Sequence, residues 1–332
     1  MAQEFQAFVV EEQSDGTFIR NVQTRTTDDL PKGDVLIKVH YSSLNYKDAL
    51  SANGHKGITR KYPHTPGVDA SGIVEHSLTP LFKEGDEVLV TGYDLGMNTA
   101  GGFAQYIRVP AEWIVKIPEN LTLRKSMFYG TAGFTAGIAI SRLQHNGISP
   151  EKGKILVTGA TGGVGSLAVA MLAKSGYYVV ASTGKQEQKE FLMRLGAKEI
   201  IGREEVNDKS GKPMLQKRWQ GAIDNVGGNT LATIIKSLNT GGVVAVIGLV
   251  GSDKLCTTVY PYILRGVSAV GIDSAERPMD ERLNIWNRIS NEWFLQDTEF
   301  YTKECNLYTL NQELDLILEG KQTGKVILKL QK

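Results

Sequence analysis

Four glycines within seven residues could bring the backbone close to the phosphates of a dinucleotide. A side chain in the middle of such a turn would hold the backbone away from a pyrophosphate, and a final glycine lets the next helix approach the strand. Free N–H groups at the start of that helix attract anions. Ala160 occupies the first glycine position of the usual G-x-G-x-x-G pattern, and a purely structural turn is the alternative. The candidate pyrophosphate-binding residues are Gly159, Gly162, Gly163, Val164 and Gly165.

The residues after the second apolar run indicate which dinucleotide binds. NAD sites usually place Asp or Glu at this point to hold the ribose 2′-hydroxyl. Here Ser182, Thr183, Gly184 and Lys185 follow Ala181, so no carboxylate is present to repel a 2′-phosphate. Two hydroxyls and one cation could bind that phosphate. We therefore expect NADPH rather than NADH; the alternative is that Lys185 is a solvated residue at the start of the next helix.

These residues belong to a strand–turn–helix–strand unit between Lys154 and Lys185, which predicts a βαβ crossover. Further apolar runs alternate with helical patterns beyond it, and six strands are predicted in this block. The expected fold is α/β, a Rossmann-type doubly wound parallel sheet. Ligands bind at the carboxyl ends of the strands in such sheets, which makes Asn225, Leu249 and Ser274 further candidates for contact with the cofactor.

The first 125 residues have a different pattern, with short alternating runs separated by glycine turns. Such spacing is typical of a closed or partly closed β-barrel. The final apolar run, Val326–Leu330, is expected to return to this first domain. We therefore predict a β-barrel catalytic domain at residues 1–125, an NADPH-binding domain at 126–273 and a return to the catalytic domain at 274–332.

Composition limits the classes of partner. Of the 332 residues, 41% are hydrophobic and 22% are charged, and the formal net charge is +1. This balance does not suggest a nucleic-acid or membrane surface, and no apolar run approaches the length of a membrane span. Cys256 and Cys305 are distant in sequence, which favours a reducing compartment. We expect a cytoplasmic protein with a small-molecule substrate.

The order of domains and several motifs resemble the medium-chain dehydrogenase/reductase superfamily, in its zinc-independent, quinone-oxidoreductase-like branch. Among its groups, the sequence is most similar to the NADPH-dependent acryloyl-CoA reductases. The resemblance spans nearly the whole chain and implies a GroES-like first domain. The matching motifs are Asn45–Asp48, Pro66–Gly72, Gly85–Val88, Gly101–Tyr106, Gly130–Ala136 and the nucleotide turn.

The resemblance places Asn45–Asp48 at the nicotinamide end of the cleft and suggests catalytic roles. Tyr46 could donate a hydrogen bond or a proton to the substrate, since a phenol is protonated at neutral pH; alternatively it only shapes the pocket. Asn45 could orient the substrate carbonyl. Asp48 could order the neighbouring backbone or cap a helix. The resemblance also suggests that Arg203 stacks on adenine or pairs with the 2′-phosphate beside Ser182 and Lys185.

No metal site is expected. The chain lacks the Cys and Gly-His-Glu that zinc alcohol dehydrogenases carry in the segments matching Leu44–Asp48 and Gly67–Asp69, and zinc needs such ligand clusters. Without zinc to polarise a carbonyl, we expect hydride addition to an activated carbon–carbon double bond, with acryloyl-CoA as the leading substrate of an enone or enoyl-thioester class. Quinone reduction is a second hypothesis, and a non-catalytic NADPH-binding protein is a third.

Two further expectations concern surfaces. Residues 54–62 contain several cations, and these could meet the phosphates of a CoA thioester; the alternative is an exposed basic loop. The family resemblance suggests that the predicted strand Val267–Ile272 pairs with its copy across a two-fold axis. We therefore expect a homodimer.

Overall fold

The structure, a computed structural model, describes residues 2–331. These residues form fifteen strands and eight α-helices. The strands are β1 (Glu4–Glu12), β2 (Phe18–Thr26), β3 (Val35–Ser43), β4 (Asp69–Ser77), β5 (Glu87–Thr91), β6 (Tyr106–Val109), β7 (Ile114–Lys116), β8 (Ile155–Val157), β9 (Val179–Thr183), β10 (Glu199–Gly202), β11 (Trp219–Asp224), β12 (Leu238–Val246), β13 (Ser268–Gly271), β14 (Thr302–Cys305) and β15 (Lys325–Lys329). The helices are α1 (Tyr46–Ala52), α2 (Leu123–His145), α3 (Gly163–Lys174), α4 (Lys189–Arg194), α5 (Gly228–Ser237), α6 (Tyr260–Arg265), α7 (Met279–Ser290) and α8 (Leu310–Leu318).

The described chain packs into two compact units. The first unit holds the residues up to Thr131, Ala275–Ser290, and those from Asp297 onward. The second unit holds Ala132–Ser274 and Asn291–Gln296. The first unit is therefore built from three separate stretches of sequence.

The first unit is organised around a seven-stranded sheet in which β3 pairs with three other strands. The sheet runs in the order β14-β15-β3-β4-β5-β7, and β6 also pairs with β3. A separate hairpin of β1 and β2 packs beside it. Phe8 and Val10 of β1 join the main core while Phe5, Ala7 and Val9 join a smaller one. Because both faces of β1 are covered, its burial does not alternate as strictly as the sequence predicts.

The second unit is a six-stranded sheet in the order β10-β9-β8-β11-β12-β13. All of its pairings are parallel. This order reverses direction at β8, which is the doubly wound arrangement with its switch point beside the first strand. The expectation of six strands in a doubly wound parallel sheet is confirmed. Buried side chains of β8, β11, β12 and α5 form its core.

Helix α2 is broken at Gly130, whose backbone angles (φ 49°, ψ −155°) are not helical. A Cβ there would lie 2.4 Å from Ser43 Oγ and 2.5 Å from Asp69 Oδ2. Only glycine tolerates both this conformation and this crowding. The break turns the backbone of Thr131 toward the buried carboxylate of Asp69.

Candidate functional site

The start of α1 is held by the buried carboxylate of Asp48. One oxygen, Oδ2, accepts a hydrogen bond from Asn45 N at 2.8 Å, and the other, Oδ1, accepts one from Val68 N at 2.9 Å. The side chain of Asp48 is completely buried. Asp48 is the third residue of α1, so its bond to the N-cap residue Asn45 is one half of a capping box. Its bond to Val68 N fastens the loop before β4.

A second buried carboxylate, Asp69, accepts hydrogen bonds from three different parts of the first unit. Its Oδ2 accepts hydrogen bonds from Ser43 Oγ at 2.5 Å and Asn45 Nδ2 at 2.8 Å. Thr131 N donates to both oxygens, and Thr131 Oγ1 donates to Oδ1 at 2.6 Å. The Asn45 amide group is thus anchored on Asp69, and its role in orienting a substrate carbonyl stays a prediction.

Asp69 and Thr131 lie within the family motifs, but the sequence alone assigns a role to neither residue. The signal in the sequence is a carboxylate at the start of a strand whose next five residues are small or apolar. Such a group must find donors if it is buried. The glycine that precedes Thr131 was the second signal, because it marks a departure from helical geometry.

Burial and, to a smaller extent, the nearby charge of Asp69 raise the pKa of Asp48 to about 7. The backbone N–H groups of Val68 and Asn45 oppose this shift by stabilising the ionised form. Two carboxyl groups that share one buried region disfavour double ionisation. The protonation state of Asp48 is therefore sensitive to its surroundings near neutral pH.

Tyr46 is the first residue of α1, and its side chain is 44% exposed. Its hydroxyl has no hydrogen-bond partner within residues 2–331. The phenol is therefore accessible to a ligand, while the backbone beneath it is fixed by Asn45 and Asp48. The catalytic roles of Tyr46, Asn45 and Asp48 stay predictions.

The basic segment at 54–62 is only partly free. Lys56 Nζ pairs with Glu12 Oε2 at 2.5 Å and lies 4.9 Å from the centre of the Tyr62 ring. Lys56 therefore supports the first unit's surface. Arg60 and Lys61 are exposed, and their contact with a phosphate stays a prediction.

The glycine turn of the second unit has the geometry of a close-packed phosphate cradle. Gly159 has a positive φ of 57°, and a Cβ on Gly165 would lie 2.2 Å from Gly159 O. Ala160 N donates to Ser182 O, which ties the turn to β9. Gly162, Gly163 and Val164 are partly exposed at the start of α3, so first-turn N–H groups face outward from the helix end.

The structure brings Arg203 against the end of β9. A Cβ on Gly184 would lie 2.7 Å from Arg203 Nε, so the guanidinium packs directly on the Gly184 backbone. Arg203 is exposed and has no ion pair in the part of the chain that the structure describes. Ser182 and Thr183 are buried, and Thr183 Oγ1 accepts a bond from Lys185 N. The accessible groups beside Arg203 are therefore Gly184 and the half-buried Lys185.

Burial lowers the pKa of Lys185, while Glu187 opposes that shift. An ammonium that has lost part of its hydration gains more from a bound anion than a fully solvated one does. The surface beside Arg203 thus combines a planar cation with a partly desolvated one. It can hold a phosphate group.

Three further candidates follow the carboxyl ends of strands in the second unit. Asn225 follows β11, where its N and Nδ2 donate to Thr158 Oγ1 and Thr158 O. Its Oδ1 is buried without a partner among residues 2–331. Leu249 follows β12 and is exposed, and Ser274 follows β13 and is partly buried. All three lie after strands of one parallel sheet, as expected, and their contacts with a cofactor stay predictions.

Within residues 2–331, no group of three or more His, Cys, Asp or Glu side chains is arranged to hold a metal ion. A search of the same residues finds no helix with the length and apolar character to cross a membrane. Cys256 is exposed, Cys305 is buried, and both are free thiols.

Two families match the chain. Residues 31–119 match the family described as alcohol dehydrogenase GroES-like domain, and residues 163–289 match the family described as zinc-binding dehydrogenase. The chain is 49% identical to "Putative quinone oxidoreductase YhfP" of Bacillus subtilis (strain 168), over 98% of this chain and 99% of the relative. It is 41% identical to acrylyl-CoA reductase AcuI of Ruegeria pomeroyi, over 98% of each chain.

Two solved structures are closely similar. The structure of YhdH from E. coli K-12 with bound NADPH superposes with a TM-score of 0.94 at 42% identity, covering 98% of this chain and all of that one. The structure of Bacillus subtilis yhfP with bound NAD gives a TM-score of 0.96 at 48% identity, covering 99% of this chain and all of that one. These two relatives carry different dinucleotides.

Proposed function

This chain belongs to the medium-chain dehydrogenase/reductase family, and we propose that it is an NADPH-dependent reductase of α,β-unsaturated carbonyl compounds, converting acryloyl-CoA to propionyl-CoA. The single observation that carries the substrate assignment is the 41% identity to an acrylyl-CoA reductase over 98% of both chains. A buried frame that fixes an exposed tyrosine at the start of α1 supports a reaction that needs an oriented hydroxyl.

The second unit fits a dinucleotide. Gly159, Gly162, Gly163, Val164 and Gly165 would hold the pyrophosphate, because a side chain at Gly165 would fill the cradle. Arg203, Gly184 and Lys185 would hold the 2′-phosphate, with Ser182 and Thr183 shaping the surface beneath. Asn225, Leu249 and Ser274 would line the rest of the cofactor site. NADPH supplies the hydride when it is bound.

We assign substrate orientation and proton donation to residues of the first unit. Tyr46 would donate a hydrogen bond to the substrate carbonyl and a proton to the α-carbon. Asn45 would orient that carbonyl, and Asp48 would keep both residues in place through the backbone at the start of α1. In this proposal residues 1–125 and 274–332 serve catalysis, and residues 126–273 bind NADPH.

The specific alternative is quinone reduction with the same cofactor site. It is favoured by the 49% identity to the Bacillus subtilis relative, whose name describes a quinone oxidoreductase. Quinones accept hydride with little help from protein groups. A proton donor held in one position, such as Tyr46, is therefore less important for quinone reduction than for reduction of an enoyl thioester.

Parallel assays of NADPH oxidation with acryloyl-CoA, crotonyl-CoA and 1,4-benzoquinone separate these functions. We expect a kcat/KM for acryloyl-CoA above about 10⁴ M⁻¹s⁻¹, the lower end for ordinary enzymes. Turnover of the quinone alone would move the protein to the alternative. Binding of NADPH without turnover of any of the three would favour a non-catalytic role.

We also propose that the protein is a homodimer formed through β13, which is an edge strand of the six-stranded sheet. Exposed apolar side chains accompany that edge on and near α6. They include Val259, Tyr260, Ile263 and Leu264, each more than half exposed. Unpaired strand edges and contiguous apolar surface are both features of association sites.

A further inference from the structure

A cavity of about 190 Å³ lies beside the hairpin of β1 and β2, within the first unit. It is surrounded by side chains of that hairpin and the turn after it, of the segment before β4 and of the segment between β5 and β6. None of these residues belongs to the candidate catalytic or cofactor sites. Packed proteins contain few voids larger than a water molecule, so an unfilled space of this size must have a structural origin.

The cavity exists because small side chains stand where the backbone is held in place. Strand β1 forms one antiparallel bridge between Ala7 and Ala104 and another between Val10 and His64. Ala7, Ala100 and Ala104 all line the cavity, and a methyl group fills little of the space that a larger side chain would occupy. The bridges prevent the surrounding backbone from closing the gap.

His64 has one ring nitrogen that makes no hydrogen bond. Its Nε2 lies 2.9 Å from Gly96 O, and because a carbonyl oxygen can only accept, Nε2 carries the proton. Nδ1 of the neutral ring is then an acceptor, and it has no partner among residues 2–331. His64 lines the cavity and is only 7% exposed. Buried polar atoms are nearly always paired, so Nδ1 needs a donor that the described chain does not supply.

The lining of the cavity carries no net charge. Burial lowers the pKa of His64, although the Gly96 carbonyl and the Asp94 carboxylate oppose that shift, so the ring is neutral near pH 7. The two charged residues of the lining pair with each other, with Arg25 Nε 3.6 Å from Asp29 Oδ2. An ion that entered the cavity would lose water without meeting an unpaired opposite charge. An uncharged ligand is therefore favoured.

The size and the walls of the cavity fit one aromatic ring. Phe5 and Val9 form buried apolar walls, and an apolar cavity of about 150 Å³ in another protein holds benzene. The rim includes the exposed residues Asp29 and Asn98, so a ligand can enter from solvent. A phenol combines such a ring with the O–H donor that His64 Nδ1 lacks.

We propose that this cavity is a binding site for a small uncharged phenol, whose ring packs on Phe5, Val9 and Ala100 and whose hydroxyl donates to His64 Nδ1. The site goes beyond the proposed function and does not depend on it.

NMR of protein labelled with ¹⁵N-histidine tests the hydrogen bond directly. The chain has five histidines, and His64→Leu identifies the resonances of the His64 ring. Saturating phenol should shift the Nδ1 resonance upfield, whereas Nε2, already bonded to Gly96 O, should hardly move. Toluene has the same number of heavy atoms but no O–H, and it should leave Nδ1 in place. An Nδ1 resonance that phenol does not move would overturn the proposal.

Calorimetric titration measures the contribution of the acceptor. We expect a dissociation constant for phenol of about 1 mM or tighter, which is attainable for so small a ligand. His64→Leu should weaken phenol binding by about three- to tenfold, the usual effect of one neutral hydrogen bond, and should not weaken toluene binding. His76→Leu, which removes an exposed imidazole from β4, should change neither. Equal losses for phenol and toluene in His64→Leu would contradict the hydrogen bond.

A cavity-filling variant tests the location. Ala100→Leu should abolish binding of both ligands, whereas Ala111→Leu, at a partly buried position outside the cavity, should not. Saturating NADPH should leave the phenol affinity unchanged, because the cavity shares no residue with the candidate cofactor site. Phenol binding that survives Ala100→Leu, or that NADPH abolishes, would place the ligand elsewhere and refute the site.

The decision does not depend on the folding of one variant. If His64→Leu does not fold, His64→Gln assigns the His64 resonances, because its amide can still donate to Gly96 O. The wild-type Nδ1 shift and the Ala100→Leu titration then decide. Absence of any phenol binding to the wild-type protein would also overturn the proposal.

Discussion

At the residue scale, Tyr46 has an exposed side chain between residues that are hydrogen-bonded to buried groups. Its phenol is half exposed, while Asn45 and Asp48 on either side of it are anchored on buried groups. Holding a catalytic group in the right geometry beside the substrate accelerates the reaction, because less freedom is lost on reaching the transition state.

We predict that Tyr46→Phe lowers kcat by about 10²–10⁴-fold, the usual contribution of a general acid. The dissociation constant of NADPH should hardly change, because the phenol is assigned to the substrate. Stopped-flow or steady-state kinetics with acryloyl-CoA measure the first quantity, and fluorescence titration measures the second. Tyr308→Phe is the control, since Tyr308 is 76% exposed on α8's preceding loop. An undiminished kcat would leave water as the proton donor.

Arg203 is expected to discriminate between the two dinucleotides. A hydrogen bond to a charged group contributes about 1.5–3 kcal/mol, which is roughly tenfold or more in affinity. Arg203→Ala should therefore weaken NADPH binding at least tenfold and leave NADH binding nearly unchanged, as titration calorimetry would show. Lys198→Ala, at the opposite end of β10, is the matched control. Equal losses for both dinucleotides would remove the 2′-phosphate role.

The sequence predicts the residues of the proposed catalytic and cofactor sites more readily than the buried residues that keep them in position. The glycine turn and Arg203 follow from spacing and family motifs. The hydrogen bonds that Asp69 accepts from Ser43 and Thr131 join residues that are distant in the chain. No local pattern reveals such contacts, because they depend on strand pairing.

At the element scale, the break in α2 links a helix to the buried network of the first unit. Gly130 has a backbone conformation that other residues avoid, and its Cα lies against Ser43 and Asp69. The break is the reason that a main-chain N–H reaches Asp69 from this helix.

We predict that Gly130→Ala destabilises the protein by more than about 1 kcal/mol, because it adds steric crowding to a strained conformation. Chemical denaturation measures the effect, and kcat should fall with it as the Asp69 network shifts. Gly147→Ala is the control: Gly147 also has a positive φ, but the nearest atom to its Cβ would be Lys152 Nζ at 3.6 Å. Similar losses in both variants would mean that backbone strain alone is responsible.

The long, periodic elements were the easiest to predict. The apolar run Ile155–Val157 matches β8, and the helix expected after the glycine turn is α3. By contrast, β14 has the sequence TKEC with one buried residue, and it forms because β15 offers a partner. Helix α6 is short and largely apolar, so it lacks the two-sided pattern that marks a surface helix.

At the scale of the whole molecule, the edge strand β13 and the neighbouring apolar side chains predict the oligomeric state. The chain mass is 36.3 kDa, and light scattering after size exclusion should give twice that value. Ile263→Asp places a charge on a side chain that is 73% exposed, and it should shift the mass toward the monomer. Leu78→Asp, equally exposed in the first unit, should not. A wild-type mass of one chain would refute the dimer.

The pairing of β3 with β15 joins segments that leave the ribosome far apart in time. Ile327 is opposite Ser43 in the register, and it is synthesised about 280 residues later, a delay of roughly 15–60 s at ordinary rates of translation. Residues 132–274 are complete well before then, so the nucleotide-binding sheet can form on the nascent chain. The backbone bonds that β15 makes beside α1, such as that from Leu44 N to Val326 O, must wait for the last strand. A chain that ends before β15 should therefore still form the six-stranded parallel sheet, while its first unit lacks the strand pairing at Ser43.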